Sequence, residues 1–244
     1  QNYTGTVFGG GAAPTTSSIA GTAITIEFED FDEGANTVTA GATAPTKNGS
    51  YRDTSPGNSG GNTSYRTTDA DLVNKGTGIA ITGIAGNEWM AYTVNFAEIG
   101  NYHMNLNYAH GASAGKRAFV YLFETSSFGA TPFKTVQLFE GGDILPVTGN
   151  SSTFADSADT DLFEITTAGN YVVVIQFRDS GPNYDFFTIT YDGSGPTPPV
   201  ITLSGSTPVN LTQGDTYTDA GATALGSDGT TDITSAIVTV NPVD

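Results

Sequence analysis

The chain has 244 residues, room for one large β domain or two modest ones, and its 14 Phe and 11 Tyr can fill real cores, which excludes a disordered polyanion. Only 14% of residues are charged and the balance is acidic, with a formal net charge of -17, so nucleic acid and an anionic membrane surface are excluded as partners. There is no cysteine, hence no disulfide framework, thiol nucleophile or thiolate metal site.

In chain order, residues 1–22 are rich in Gly, Ala and Thr and read as a lead-in strand or flexible arm. The run Ile24-Thr25-Ile26-Glu27-Phe28-Glu29-Asp30-Phe31 follows as the first strand. Alternate strand residues share a face, so Ile26 and Phe28 are expected in a core, with Glu27 and Glu29 together on the other side. Carboxylates held that close repel unless a cation lies between them, and Ca²⁺ with oxygen ligands answers that need outside the cell. A solvated strand face is the alternative. Further strands are expected over 78–84, 89–96, 101–109, 118–124, 133–138, 161–165, 171–177 and 185–191, divided by Gly, Asn, Asp and Ser turns. The stretch 101–109 alternates cleanly, Tyr102, Met104, Leu106 and Tyr108 against His103, Asn105 and Asn107. Many short strands at this spacing predict an all-β, β-sandwich domain over 23–192.

Gly193-Ser194-Gly195-Pro196-Thr197-Pro198-Pro199 is linker by composition. Beyond it, residues 200–244 carry strand patterns near 200–203, 216–219 and 236–240, thin for an independent core. The chain begins at Gln1 and has no apolar run long enough to span a bilayer, so membrane insertion is not expected. It reads as a mature secreted product whose signal peptide is gone, although a trimmed chain reads the same way.

Five runs, in order, resemble family 6 carbohydrate-binding modules, the jelly-roll sandwiches attached to many secreted polysaccharide-degrading enzymes. Ile26-Glu27-Phe28-Glu29-Asp30-Phe31 is similar to the opening E-A-E-D-Y motif. The loop from Tyr51-Arg52-Asp53 to Gly60-Gly61, followed by Tyr65-Arg66, resembles one branch of the family. Asn87-Glu88-Trp89-Met90-Ala91-Tyr92-Thr93-Val94 resembles the G-E-W-L-E-Y-T-V strand. Ala168-Gly169-Asn170-Tyr171 leads into a long apolar strand, and Gly181-Pro182-Asn183-Tyr184-Asp185-Phe186-Phe187 resembles the closing motif.

The resemblance implies a structural Ca²⁺ held by Glu27, Glu29 and Asp185, with a main-chain carbonyl near Arg66. It also implies a loop-end cleft that grips a sugar between two rings over an Asn. Asn183 matches the floor, and Phe154 stands for one ring. The other ring position, six residues before Trp89, is Gly83. Tyr65 or Tyr51 of the enlarged loop would then replace the missing ring, or the cleft is altered or lost. Trp89, Met90 and Tyr92 read as strand and core.

Residues 198–244 resemble a bacterial Ig-like domain that stops short of its closing strands. Either the sequence is cut from a longer protein, or a neighbour's strand completes the sandwich, with the 1–22 arm as candidate donor. Gly57-Asn58-Ser59-Gly60-Gly61 looks like a serine-protease box, but His103 and His110 both follow it, and catalysis is not expected there. The expected function is a secreted, non-catalytic module that binds a neutral polysaccharide and carries a structural calcium. The alternative is a structural or adhesive surface protein, self-assembling by strand exchange through the partial Ig-like domain.

Overall fold

The computed structural model describes residues 2–38, 45, 49–76, 78–111, 116–129, 132, 134–138, 148–193, 200–206, 208–226 and 231–238, without the side chains of 136–138. Phe133, linker residues 194–199, Val147 and residues 239–244 therefore lie outside the described residues. The chain divides into two compact units, 1–193 and 194–244.

The first unit is all-β. Its strands are β1 (Thr22–Glu27), β2 (Ala35–Asn36), β3 (Gly49–Arg52), β4 (Leu72–Lys75), β5 (Gly78–Ile81), β6 (Glu88–Phe96), β7 (Gly100–Ala109), β8 (Ala118–Glu124), β9 (Lys134–Leu138), β10 (Phe154–Asp156), β11 (Phe163–Ile165), β12 (Gly169–Phe177) and β13 (Asn183–Gly193). They form two sheets. A seven-stranded one runs β10-β7-β13-β5-β4, with β1 also on β13 and β11 on β7; a six-stranded one runs β2-β3-β6-β12-β8-β9.

Alternation decides what lies between the sheets. Tyr102, Met104, Leu106 and Tyr108 of β7 point inward with Tyr184, Phe187 and Ile189 of β13. They meet Met90, Tyr92, Val94 and Phe96 of β6 and Tyr171, Val173, Ile175 and Phe177 of β12. This is the expected β-sandwich. Trp89 is fully buried, but on the opposite face of β6, in a second cluster with Ala91, Phe123, Phe128, Val172 and Val174.

Strand β1 ends at Glu27, and Phe28–Asp30 form a 3-10 turn instead of continuing it. Ile26 and Phe28 both enter the core, as expected. The two carboxylates do not share a face. The turn breaks the two-residue period, leaving Glu27 exposed while Glu29 rotates inward to 5% exposure.

Residues 2–20, expected as a loose arm or lead-in strand, lie along their own domain. Tyr3 N–H donates to Thr125 O (2.7 Å) and the Tyr3 ring packs on Phe128 at 4.4 Å, closing the Trp89 cluster. Thr6 and Glu33 exchange backbone bonds of 3.0 and 2.6 Å, and Thr16 N–H donates to Asn95 O at 2.9 Å.

In the second unit β14 (Val200–Leu203) pairs antiparallel with β15 (Ala222–Leu225), and Thr234–Ala236 form a 3-10 turn. The expected strand at 216–219 is not formed, because Ala222–Leu225 takes the place beside β14. Among the described residues of the chain no helix is long and apolar enough to cross a membrane.

Candidate functional site

Three strand ends and one loop meet at the end of the seven-stranded sheet. Val73, Asn74 and Lys75 of β4, Gly76 after it, Ser151 and Ser152, Phe154 at the start of β10 and Asn183 at the start of β13 line a pocket of about 230 Å³. Phe154 and Asn183 come together because both pair with Ala109 of β7, one on each side.

Asn183 is held by both ends of its amide. Its Oδ1 accepts from Thr82 Oγ1 at 2.7 Å and its Nδ2 donates to Ser151 O at 2.9 Å. A side-chain amide has two donor hydrogens and two lone pairs, so one of each is left for a ligand, in a fixed orientation. That is the group needed to read adjacent hydroxyls. The Lys75 ammonium lies 4.1 Å from the centroid of the Phe154 ring, a cation–π contact, and is ion-paired with Asp185. Sequence reading missed Lys75. It closes a four-residue strand with no motif of its own, and only pairing with β5 brings it here.

The position of the absent ring is tightly filled. Gly83 has φ +65°, and a Cβ there would collide with the Asp71 carboxylate. Asp71 is itself buried and accepts from Ser59 N–H. The loop that resembled a protease box thus anchors this carboxylate, while His103 is paired with Asp192 on the seven-stranded sheet.

Neither replacement ring lines the pocket. Tyr65 stacks on Phe8 of the N-terminal segment (5.4 Å, 29°) and donates its hydroxyl to Asp30. Tyr51 is buried against Phe31 (5.0 Å), and its oxygen accepts from Asp69 N–H at 3.2 Å. The arm and the 3-10 turn hold these rings elsewhere.

The acidic residues form a seam beside the pocket. Glu27 is opposite Phe186 in the β1–β13 ladder, one residue from Asp185. Partial loss of water around its carboxyl, and then the charge of Asp185, push exposed Glu27 up. Burial pushes Glu29 to about 8, and its Oε2 is enclosed without a hydrogen-bond partner. Arg66 turns its guanidinium to the same turn, donating to the carbonyls of Glu29 (2.8 Å), Phe31 and Asp32 (3.4 Å) and lying 3.6 Å over Phe31. Tested as a calcium cage, Glu29 offers an unclaimed oxygen, whereas Asp185 is taken by Lys75. Among the described residues no group of three or more His, Cys, Asp or Glu is placed to hold a metal ion. The carboxylates do not fit an ion as they stand.

No protein-family model matches the chain, and no curated protein matches it. Among solved structures it is similar to the C-terminal family 6 module of LamC, a marine laminarinase from Zobellia galactanivorans: 19% identity, 69% of this chain and 99% of that one, TM-score 0.44. A second is the Clostridium stercorarium family 6 module solved with cellobiose: 17% identity, 75% and 99% coverage, TM-score 0.42. A third is a β-1,3-glucan-binding family 6 module from Bacillus halodurans: 14% identity, 72% and 97% coverage, TM-score 0.42. Likenesses this distant decide neither ligand nor site.

Proposed function

We propose that the first unit is a secreted, non-catalytic glycan-binding module whose site is the pocket of Phe154, Asn183 and Lys75. The observation that carries this reading is Asn183. Its amide is pinned by Thr82 and Ser151 with one donor and one acceptor to spare, next to an aromatic ring. Small polar sites of this kind orient sugars by hydroxyl contacts while a ring takes the apolar sugar face. The five sequence motifs support the same reading. In this proposal Phe154 is the stacking ring, Lys75 steadies it and moves aside for a ligand, and no second ring completes a sandwich. Titration of xylo-, laminari- and agaro-oligosaccharides into the chain tests it. Saturable binding lost in Asn183→Ala is expected; binding indifferent to Asn183→Ala would refute the site.

A structural Ca²⁺ is a separate proposal. Glu27, Glu29, Asp185 and a main-chain carbonyl near Arg66 would hold it only after rearranging, and the enclosed, unpaired Glu29 Oε2 supports it. Binding would require Lys75 to release Asp185. The ion would tie the first and last strands together in a chain without disulfides.

A further inference from the structure

We propose that the pocket prefers a sugar unit bearing a carboxylate, a uronic acid carried by an otherwise neutral chain, and that Lys75 is the residue that selects it. This rests on the proposed glycan pocket and names the sugar class that pocket takes.

The lining is cationic and rich in donors. Lys75 is its one charged residue among those described; Asn74, Ser151, Ser152, Phe154 and Asn183 supply neutral groups. Glu27 and Asp185, the carboxylates that interact with the lysine, do not line the pocket. Asp185 holds the ammonium with a side chain only 9% exposed, against 32% for Lys75. An ammonium carries three N–H groups, so pairing with Asp185 leaves donors for a ligand. Asn74 Oδ1 accepts from Asn62 Nδ2 at 2.8 Å, which keeps the Asn74 amide nitrogen, with two N–H groups, as a further donor. Asn183 adds the N–H not given to Ser151 O, and both serine hydroxyls can donate. An ionised carboxylate only accepts, through two oxygens, and is the group that such a set of donors satisfies.

The contacts place the selection at the edge of the sugar. The ammonium lies 4.1 Å from the centroid of the Phe154 ring. A sugar stacked on that ring moves it off the face, while Asp185, two residues after Asn183 on β13, keeps it at the pocket wall. Replacing the hydroxymethyl group of a hexose by a carboxylate adds a charge and only one oxygen atom, a change that suits a pocket of about 230 Å³. The net charge of -17 opposes any anion at long range. Charges beyond about 8 Å are screened at physiological salt, so the groups lining the pocket decide its preference.

The test is calorimetric titration of matched disaccharides whose non-reducing unit is glucuronate or glucose, and galacturonate or galactose. They are titrated into the full chain, Lys75→Met/Asp185→Asn and Asn183→Ala, in the presence of chelator. The double variant removes both charges together, so that neither is left unpaired, and thermal unfolding verifies each fold. The expected result is a uronate bound about ten-fold or more tightly than its neutral partner, as one charge-assisted hydrogen bond would give. That ratio should shrink as salt is raised and fall to about one in Lys75→Met/Asp185→Asn. A uronate bound no better than its partner, or a preference that survives in the double variant, overturns the proposal. So does a preference seen only with added Ca²⁺, which would belong to an ion and not to Lys75. Equal affinities abolished by Asn183→Ala would leave the glycan pocket standing without its uronate selection. If neither these disaccharides nor the longer neutral oligosaccharides bind, both readings fall.

Discussion

Asp53 shows how a single side chain makes stability depend on pH. It is buried, and burial with the neighbouring charges of Glu88 and Asp71 raises its carboxyl from 3.8 to about 6, although Ser55 hydrogen bonds oppose the rise. A raised folded-state value means that the native protein binds the proton more tightly than the unfolded chain. This contribution is therefore full below about pH 4 and lost as pH rises through 6. Unfolding measured from pH 4 to 7 should show stability falling across that window, and less so in Asp53→Asn. Gly83 gives a second prediction. A side chain there meets both φ +65° and the carboxylate of Asp71, so Gly83→Ala should cost about 2 kcal/mol in chemical denaturation. An unchanged midpoint would mean that Asp71 yields easily. The glycine was legible as a missing ring, but not as a filled space, because Asp71 lies on a separate segment.

At the scale of elements, the N-terminal segment acts as a clasp on the outer face of the six-stranded sheet. Tyr3 covers Phe128 beside Trp89, Phe123, Val172 and Val174, and Pro14 and Thr16 bond the edge at Asn95. Tyr3→Ala should destabilise the first unit by about 2 kcal/mol, the worth of a partly buried ring, and increase binding of a hydrophobic dye. The same segment was read from sequence as a lead-in strand or flexible arm, and as a candidate strand donor, from its Gly- and Thr-rich composition alone. Long alternating strands such as β7 were legible because from Asn101 to Tyr108 apolar inward residues alternate with polar outward ones. β4 and β10 were not, since Leu72-Val73-Asn74-Lys75 and Phe154-Ala155-Asp156 acquire strand character only from their partners. The pocket was half legible for that reason: Phe154 and Asn183 were named, and Lys75 on β4 was not. Glu29 was misplaced because nothing in Phe28-Glu29-Asp30 signals a 3-10 turn.

Over the whole molecule the two units differ in how much apolar surface they hide. The first encloses a continuous aromatic and aliphatic core between its sheets. In the second, Ile201, Leu203, Tyr217 and Val238 are 60%, 76%, 55% and 85% exposed, and Ala224 is its one buried apolar residue among those described. Limited proteolysis should therefore remove the second unit first and leave a folded fragment ending near 193, detected by mass. Digestion beginning within β6 or β12 would contradict this. Calcium belongs to the same scale, because the proposed ligands lie on the first strand, the turn that follows it, the loop that carries Arg66 and the last strand of the sandwich. Added Ca²⁺ should raise the Tm by several degrees, and Glu29→Gln should abolish that rise; a Tm indifferent to Ca²⁺ and chelator would remove the ion from the account.

The measurement that bears most directly on the central claim is calorimetric titration of the neutral oligosaccharide panel into the intact chain and into Asn183→Ala. Saturable binding by the native chain and none by the folded variant is the expected result. A flat panel from folded native protein, or full affinity in Asn183→Ala, would contradict it.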